Sequence, residues 1–182
     1  SMCLMAAETL GVEYDVVRAR VGDTESTGFC NVTGGSRTTF ATGMAVTQAC
    51  EDVIAECKKR AAQLWGVDDD QVEWQDGSAV PGPGVNADVN PMSLADLAGS
   101  AAKTGGPIQG RASVNAQGAG ASFAINFTDL RIDRETGKVD VLSYTAIQDA
   151  GTAIHPAYVE GQMQGGAAQG IGWALNEEYI YD

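Results

Sequence analysis

The composition of the 182-residue chain limits what it can bind. It holds 11 lysine and arginine residues against 24 aspartates and glutamates, which gives a formal net charge of −13. Nucleic-acid phosphates and anionic lipid surfaces attract clustered cations, so this balance argues against either partner. No apolar run approaches the ~18 residues of a membrane span, and the first ten residues lack the basic region of a signal peptide. The acidity is typical of a dissolved protein, and a hydrophobic fraction of 44% fits a globular fold.

The cysteines and the single histidine predict neither a disulfide framework nor a zinc site. No pair among Cys3, Cys30, Cys50 and Cys57 has the C-x-x-C spacing. His155 is the only histidine. We therefore expect no metal ion held by protein side chains, and we expect reduced thiols in a cytoplasmic protein.

Local patterns predict the elements of the first third. Apolar residues at helical spacing over residues 2–10 stop at Gly11, which is typical of the residue that follows a helix. Alternating β-branched residues predict a strand over residues 15–21. Residues 22–35 are rich in glycine, serine, threonine and asparagine, and they predict a loop.

A long apolar stripe at steps of three and four predicts a helix over residues 39–64. Lys58, Lys59 and Arg60 are expected in its last turns, where the helix dipole favours cations, and Gly66 is expected to follow its end.

The middle of the chain predicts shorter elements. Residues 71–74 favour a strand, and residues 80–90 favour irregular chain because they contain two prolines and two glycines. Residues 93–102 predict a short helix, with Ser93 at its N-cap and Asp96 three residues later, close to a capping box.

The last third predicts a hairpin and a helix. Residues 120–133 and 138–148 alternate apolar and polar side chains, with an irregularity at Thr128-Asp129, and a glycine-containing loop joins them. Residues 156–175 predict a helix although it contains five glycines, each of which costs up to about 1 kcal/mol relative to alanine. Such a helix is expected where another group approaches its backbone closely. The predicted fold class is α+β, with a mixed or antiparallel sheet and packed helices.

The two ends of the chain bear on its domain organisation. The first helical pattern starts without a cap before it, and residues 177–182 end in a strand-like pattern. We therefore expect residues 1–182 to be a fragment of a larger domain, with residues 66–106 as the candidate point of subdivision.

The glycine-rich stretch before the long helix, Thr33-Gly34-Gly35-Ser36-Arg37-Thr38-Thr39, carries the most chemistry. Glycines permit close backbone approach, and the first free N–H groups of a helix form an anion site together with its dipole. Hydroxyl groups and a guanidinium add further donors. An ordinary N-cap loop uses the same residue types, so that alternative stays open. The glycine spacing excludes a P-loop and a Rossmann fingerprint.

Three blocks of sequence resemble the molybdenum hydroxylases, the family of xanthine dehydrogenase and aldehyde oxidase. The first comprises Gly22-Asp23-Thr24, Gly34-Gly35-Ser36-Arg37-Thr38-Thr39 and Gly43-Met44-Ala45-Val46. The second comprises Asp133-Arg134-Glu135-Thr136-Gly137-Lys138-Val139 with Asp149-Ala150-Gly151. The third and most specific has the pattern E-G-Q-x-x-G-G-x-x-Q-G-x-G from Glu160 to Gly172. Order and spacing agree over nearly the whole chain, which resembles a C-terminal-half fragment of the molybdopterin-binding large subunit.

The resemblance implies a cofactor, partners and a reaction. The cofactor is molybdopterin, which holds molybdenum through its dithiolene and often carries cytosine dinucleotide in bacteria. The partners are Fe–S and FAD subunits or domains, and the reaction hydroxylates an aldehyde or N-heterocycle carbon of a small-molecule substrate with oxygen from water. Other branches of the family dehydroxylate aromatic CoA thioesters or oxidise carbon monoxide.

The resemblance also assigns cofactor-binding residues. It places Gly34, Gly35, Ser36, Arg37 and Thr38 against the pterin and its pyrophosphate or dithiolene. It places Gln162 against the pterin, where a side-chain amide can both donate and accept hydrogen bonds.

Two departures from the family bear on activity. The family usually has asparagine where this chain has His155, which we expect to start the helix rather than to act in catalysis. The family's catalytic glutamate, in a Gly-Glu-Pro-type segment, would follow Asp182, so no catalytic residue is assigned. Asp149 and Glu160 are candidate bases only by their chemistry. We expect the chain alone to be inactive and to lack the cofactor.

Two alternatives remain open from the sequence. One is a binding or assembly module that keeps the fold without molybdenum. The other is an unrelated phosphate-binding domain, which only the Gly34–Thr38 loop supports.

Overall fold

The computed structural model describes residues 1–25, 28–30, 32–85, 88–118 and 120–182. The chain forms two compact units, Ser1–Gln117 and Gly118–Asp182. Residues 66–106, the candidate point of subdivision, lie inside the first unit. The α+β class is confirmed, because helices accompany sheets whose strand pairs are all antiparallel among the described residues.

The bounds of the elements follow in chain order. The first unit contains α1 (Met2–Leu10), a 3-10 turn (Tyr14–Val16), α2 (Thr38–Trp65), a second 3-10 turn (Asp69–Gln71), β1 (Val72–Gln75), β2 (Ser78–Pro81), β3 (Met92–Ser93), α3 (Leu94–Gly99) and α4 (Ala101–Thr104). The second unit contains β4 (Ala124–Ile132), β5 (Val139–Gln148) and α5 (Pro156–Leu175).

The first unit is organised around α2. Gly66 follows this helix in the left-handed conformation, with φ 71° and ψ 36°, and Gly11 follows α1 in the same way. These two helix ends confirm the predictions made from the glycines. The core residues come from α2, β1, β2 and α3, and each has 0% exposure: Cys57, Ala61, Ala62, Val72, Ala79 and Leu97.

The capping box at α3 is confirmed. The Ser93 hydroxyl accepts from the N–H of Asp96, and the Asp96 carboxylate accepts from the N–H of Ser93 at 2.9 Å. Hydrogen bonds from Ser93 stabilise the charged carboxylate and hold the pKa of Asp96 below its usual value. The helix predicted over residues 93–102 is divided at Ser100 into α3 and α4.

Two local predictions are wrong. Residues 15–21 form the end of a 3-10 turn and then irregular chain, and residues 177–182 form no strand. Alternation alone does not make a strand, since a strand needs a neighbour that completes its hydrogen bonds. The basic residues 58–60 lie within the last two turns of α2, as predicted, although the final turn, which continues to Trp65, contains no cation.

The second unit contains the predicted hairpin. β4 and β5 pair in antiparallel register from Ala124↔Gln148 to Ile132↔Val139, with a shift between Asp129 and Leu130, beside the predicted irregularity. The extra residue is Leu142 of β5, which lies between the partners of Asp129 and Leu130. It reverses the parity of the β5 positions on either side of it, so Val139 and Val141 lie on the same face of the hairpin as Tyr144 and Ala146.

Among the described residues, no helix is long and apolar enough to cross a membrane. The four cysteines are free thiols.

Gly77→Ala is expected to destabilise the first unit more than Gly66→Ala. Both glycines have φ near +70°, so alanine costs about 1–2 kcal/mol of left-handed strain at either position. A Cβ at Gly66 would meet nothing within 4 Å, whereas at Gly77 it would lie 2.7 Å from the carbonyl oxygen of Gly11. Overpacking should therefore add about 1–3 kcal/mol for Gly77→Ala alone. Urea unfolding followed by circular dichroism measures both losses, and equal losses would contradict a tight contact between the two turns.

Candidate functional site

The loop before α2 adopts backbone angles that few side chains tolerate. Gly35 has φ 66° and Ser36 has φ 56°, whereas Arg37 returns to φ −92° and ψ −10°. A left-handed residue followed by a right-handed one turns successive N–H groups toward one side, which is the geometry of an anion-binding nest. A left-handed serine costs on the order of 1–2 kcal/mol, and such strain is concentrated at functional sites.

The first N–H groups of α2 are available to a ligand. The first backbone bond at this end runs from the N–H of Ala41 to the carbonyl of Arg37, at 2.8 Å. The N–H groups of Thr38, Thr39 and Phe40 therefore have no acceptor within the part of the chain that the structure describes. The N-cap residue Arg37 makes no side-chain cap hydrogen bond. These donors and the helix dipole together suit an oxyanion such as a phosphate.

The loop is open to solvent on its glycine side. Gly34, Gly35, Ser36 and Thr38 are exposed, and Arg37 is half-buried. A Cβ built on Gly35 would meet nothing within 4 Å, and one on Gly34 would meet only a methyl group of Val32, at 3.9 Å. Packing within the first unit thus does not explain these glycines. They leave space for a flat or branched group to approach the backbone.

Gln162 lies in the second unit, on the exposed surface of the early turns of α5. Its amide has no hydrogen-bond partner among the described residues. The structure therefore brings Gly34, Gly35, Ser36, Arg37 and Thr38 together in one loop and places Gln162 on a separate unit.

Most of the glycines of α5 have open space where a side chain would lie. A Cβ added at Gly161, Gly165, Gly166 or Gly170 would meet no atom of the second unit within 4 Å, whereas Gly172 is approached by the carboxylate of Glu177. No contact inside the second unit explains the first four glycines. The helix surface around Gln162 consequently carries few side-chain atoms, and its backbone is accessible.

His155 begins α5, as predicted. It is the N-cap residue, with Pro156 in the first turn, and its carbonyl accepts from the N–H groups of Tyr158 and Val159. Its ring stacks on Tyr158, with 3.9 Å between the ring centroids. The imidazole thus has a packing role at the start of the helix.

Neither candidate base has the surroundings of a catalytic group. Asp149 accepts the N–H of Gly151 at 3.0 Å within a turn, and Glu160 is exposed. No group of histidine, cysteine, aspartate and glutamate suited to a metal ion occurs among the described residues.

Sequence reasoning missed two features of the first unit. The left-handed Ser36 has no sequence signal beyond the preceding glycine pair, because serine seldom adopts positive φ. The burial of Arg60, which is 4% exposed, depends on a chain segment more than forty residues away. Local patterns cannot report such a contact.

Comparisons with known proteins match the entire chain. The family model described as the molybdopterin cofactor-binding domain matches residues 1–182. The carbon monoxide dehydrogenase large chain of Hydrogenophaga pseudoflava is 30% identical over 182 residues, which cover 97% of this chain and 22% of that protein. The putative xanthine dehydrogenase molybdenum-binding subunit of Escherichia coli K12 is 37% identical over 94 residues, which cover 50% of this chain and 12% of that protein.

Solved structures show the same fold. The crystal structure of Cu,Mo-CO dehydrogenase matches with a TM-score of 0.81 and 24% identity over 100% of this chain and 23% of that chain. Quinoline 2-oxidoreductase from Pseudomonas putida 86 matches with a TM-score of 0.77 and 28% identity over 100% of this chain and 24% of that chain. The chain thus spans less than a quarter of the length of each of these protein chains.

Proposed function

Because the chain belongs to the family of molybdopterin cofactor-binding domains, we propose that the loop before α2 holds the anionic part of that cofactor in a molybdenum-dependent oxidoreductase. One observation carries the assignment. The left-handed turn at Gly35 and Ser36 leads directly into three N–H groups that have no acceptor in the described chain. The open, strained backbone and the free donors suit a phosphate that is attached to a larger ring system.

The individual contacts have distinct roles in this proposal. The N–H groups of Thr38, Thr39 and Phe40 donate to phosphate oxygens, and the hydroxyl of Ser36 adds a donor. The half-buried Arg37 contributes positive charge beside them. A hydrogen bond to a charged group contributes about 1.5–3 kcal/mol, so a few such bonds suffice to position a phosphate. The phosphate of molybdopterin and the pyrophosphate of its cytosine dinucleotide form both meet this requirement.

Gln162 is proposed to bind the pterin. Its amide carries both donors and an acceptor, which matches the mixed edge of a pterin ring. The amide is exposed and has no partner in the described part of the chain, and the glycines beside it leave the α5 backbone uncovered within the second unit. A ring can therefore approach this helix more closely than one covered by larger side chains.

The reaction is proposed for the parent protein. When bound, the cofactor supplies a redox-active molybdenum held by its dithiolene. The proposed activity is hydroxylation of an aldehyde or N-heterocycle carbon of a small molecule with oxygen from water, with electrons passed to Fe–S and FAD partners. The relatives are named for carbon monoxide and xanthine, and a matching structure is named for quinoline. Because these proteins are named for different substrates, the proposal specifies oxidation at molybdenum and does not specify one substrate.

Gly35→Val in the parent enzyme is expected to lower molybdenum content more than tenfold. A branched side chain would fill the open side of the loop and would resist the positive φ. Gly84→Val is the matched control, since Gly84 also has positive φ and open space around a Cβ but lies outside the loop. Ser36→Ala should lower molybdenum content less than Gly35→Val does, because it removes only one hydrogen bond, of about 1.5–3 kcal/mol, to a charged phosphate.

Molybdenum content by mass spectrometry, with circular dichroism as the check on folding, separates these outcomes. Full molybdenum content in Gly35→Val would show that the loop is an ordinary N-cap loop with no role in cofactor binding. Equal loss in Gly84→Val would show that backbone strain alone caused the effect.

Gln162→Leu is expected to weaken cofactor retention severalfold, whereas Gln164→Leu is not. Both glutamines are exposed on α5, so the change in solvation is matched. Only Gln162 is proposed to bind the pterin, and its replacement removes one or two hydrogen bonds of about 0.5–1.5 kcal/mol each. The measurement is the molybdenum that remains in the parent enzyme after prolonged dialysis. Equal retention in the two variants would mean that Gln162 is simply a solvated helix residue.

The purified 182-residue chain is expected to hold far less than one molybdenum per chain and to hydroxylate neither aldehydes nor purines. The proposed contacts come from only two short stretches, and the chain spans less than a quarter of its relatives. Metal analysis and substrate assays on the chain check both points. Stoichiometric molybdenum would overturn the expectation.

A further inference from the structure

An extended segment of the first unit lies against α2 without joining a sheet. Residues 106–116 follow α4 and contain no helix or strand. Their exposure alternates, with the even-numbered residues half-buried and the odd-numbered residues exposed. This pattern is typical of an extended chain laid along a surface. Residues 106–111, which make the contacts described below, are termed the strap.

Arg60 of α2 binds the beginning of the strap. Its side chain is only 5% exposed, and Nε donates to Oε1 of Glu56 at 2.8 Å. Nη1 donates to the carbonyl of Gly106, and Nη2 lies 3.4 Å from the carbonyl oxygen of Pro107. A buried guanidinium requires such partners, because an unpaired buried charge is strongly destabilising.

Two contacts hold the far end of the strap. The N–H of Arg111 donates to Oδ2 of Asp52 at 2.9 Å. Gly110 approaches α2 so closely that a Cβ would lie 2.7 Å from Cγ2 and 2.9 Å from the N atom of Val53. Between the two ends, Ile108 packs against the core cluster that contains Cys57. The α2 residues involved recur at helical spacing, so they form one face of the helix.

The strap makes few backbone hydrogen bonds of its own. The N–H of Gly106 donates to the carbonyl of Ala101 at 2.8 Å, and the N–H of Arg111 donates to Asp52. The N–H groups of Ile108, Gln109 and Gly110 have no acceptor in the described chain. Segments with few hydrogen bonds open at lower free energy than the whole fold. The charge of Arg60 regains water on opening, which offsets part of the lost bonding.

We propose that residues 106–111 open and close over α2 as a unit while the rest of the first unit stays folded, and that Arg60 is the latch. Opening removes Ile108 from the core cluster and exposes Cys57, which lies between Glu56 and Arg60 in the sequence. It also widens access to an apolar cavity of about 490 Å³, lined by Val53, Leu94, Ala98, Ala101, Pro107 and Ile108. The strap is thus a gate over that cavity.

Thiol labelling of Cys57 tests this gate in the 182-residue chain. Replacing Cys3 and Cys30 with serine and Cys50 with alanine leaves a single thiol. Cys57 has 0% exposure, and burial raises the pKa of its thiol to about 11, so the closed state should react slowly with an aromatic disulfide reagent at pH 8. At low urea, the labelling rate should exceed the rate set by global unfolding by about tenfold or more and should vary little with urea.

The latch variant has a matched control. Arg60→Met keeps the length of the side chain but removes its charge and donors, and it should raise the low-urea labelling rate about tenfold. Arg111→Met should leave the rate unchanged, because only the backbone N–H of Arg111 makes a described contact. Gly110→Ala should also raise the rate, since its Cβ would push the strap off α2 without altering any charge.

Amide hydrogen exchange at Arg111, whose N–H donates to Asp52 in the closed state, provides the second measurement, and it distinguishes opening from loss of folding. Faster exchange at Arg111 with unchanged protection in β1 supports the gate. The proposal would be overturned if the labelling rate of Cys57 equalled the rate set by global unfolding, both in the single-thiol chain and in all three variants of it. Equal acceleration by Arg60→Met and Arg111→Met would also overturn it.

Discussion

The burial of one face of α2 is the constraint on which the rest of the first unit depends. Its small residues Cys57, Ala61 and Ala62 are fully buried against Val72, Ala79 and Leu97. Small side chains let the sheet and α3 approach the helix closely, and close packing then fixes its position. The N-terminal end of the helix carries the candidate cofactor loop, while its middle holds the strap. A single packed helix thus supports both features.

The missing cap at the start of α2 has a physical interpretation. A serine, threonine, aspartate or asparagine cap is worth about 1 kcal/mol to a helix, yet Arg37 occupies the N-cap position and makes no such bond. A side-chain cap would compete with a ligand for the same N–H groups. The left-handed Ser36 adds further cost to the unliganded loop. A bound oxyanion would accept hydrogen bonds from the free N–H groups and would offset the cost of the missing cap and of the left-handed Ser36. The unfavourable backbone of the empty loop therefore supports a binding role.

The parts of the structure predicted from sequence are those that local chemistry determines. Glycines ended α1 and α2, the capping box began α3, and alternation with a glycine-containing loop predicted β4 and β5. The strand predicted over residues 15–21 failed because pairing requires a distant partner. The burial of Arg60 was not predicted because its acceptors, the carbonyls of Gly106 and Pro107, come from a remote segment. The candidate loop was located by its residue types, but the left-handed conformation of Ser36 was visible only in the structure.

The shift between Asp129 and Leu130 constrains how this hairpin can diverge in evolution. The extra residue, Leu142 of β5, keeps Tyr144 and Ala146 on the same face as Val139 and Val141. Deleting it without a compensating change would turn one half of the apolar stripe to the opposite face. Length changes in β5 should therefore be tolerated in pairs, or at the bulge together with a reversal of the polar and apolar pattern on one side. The extra residue thus determines which side chains of the strand lie on each face of the hairpin.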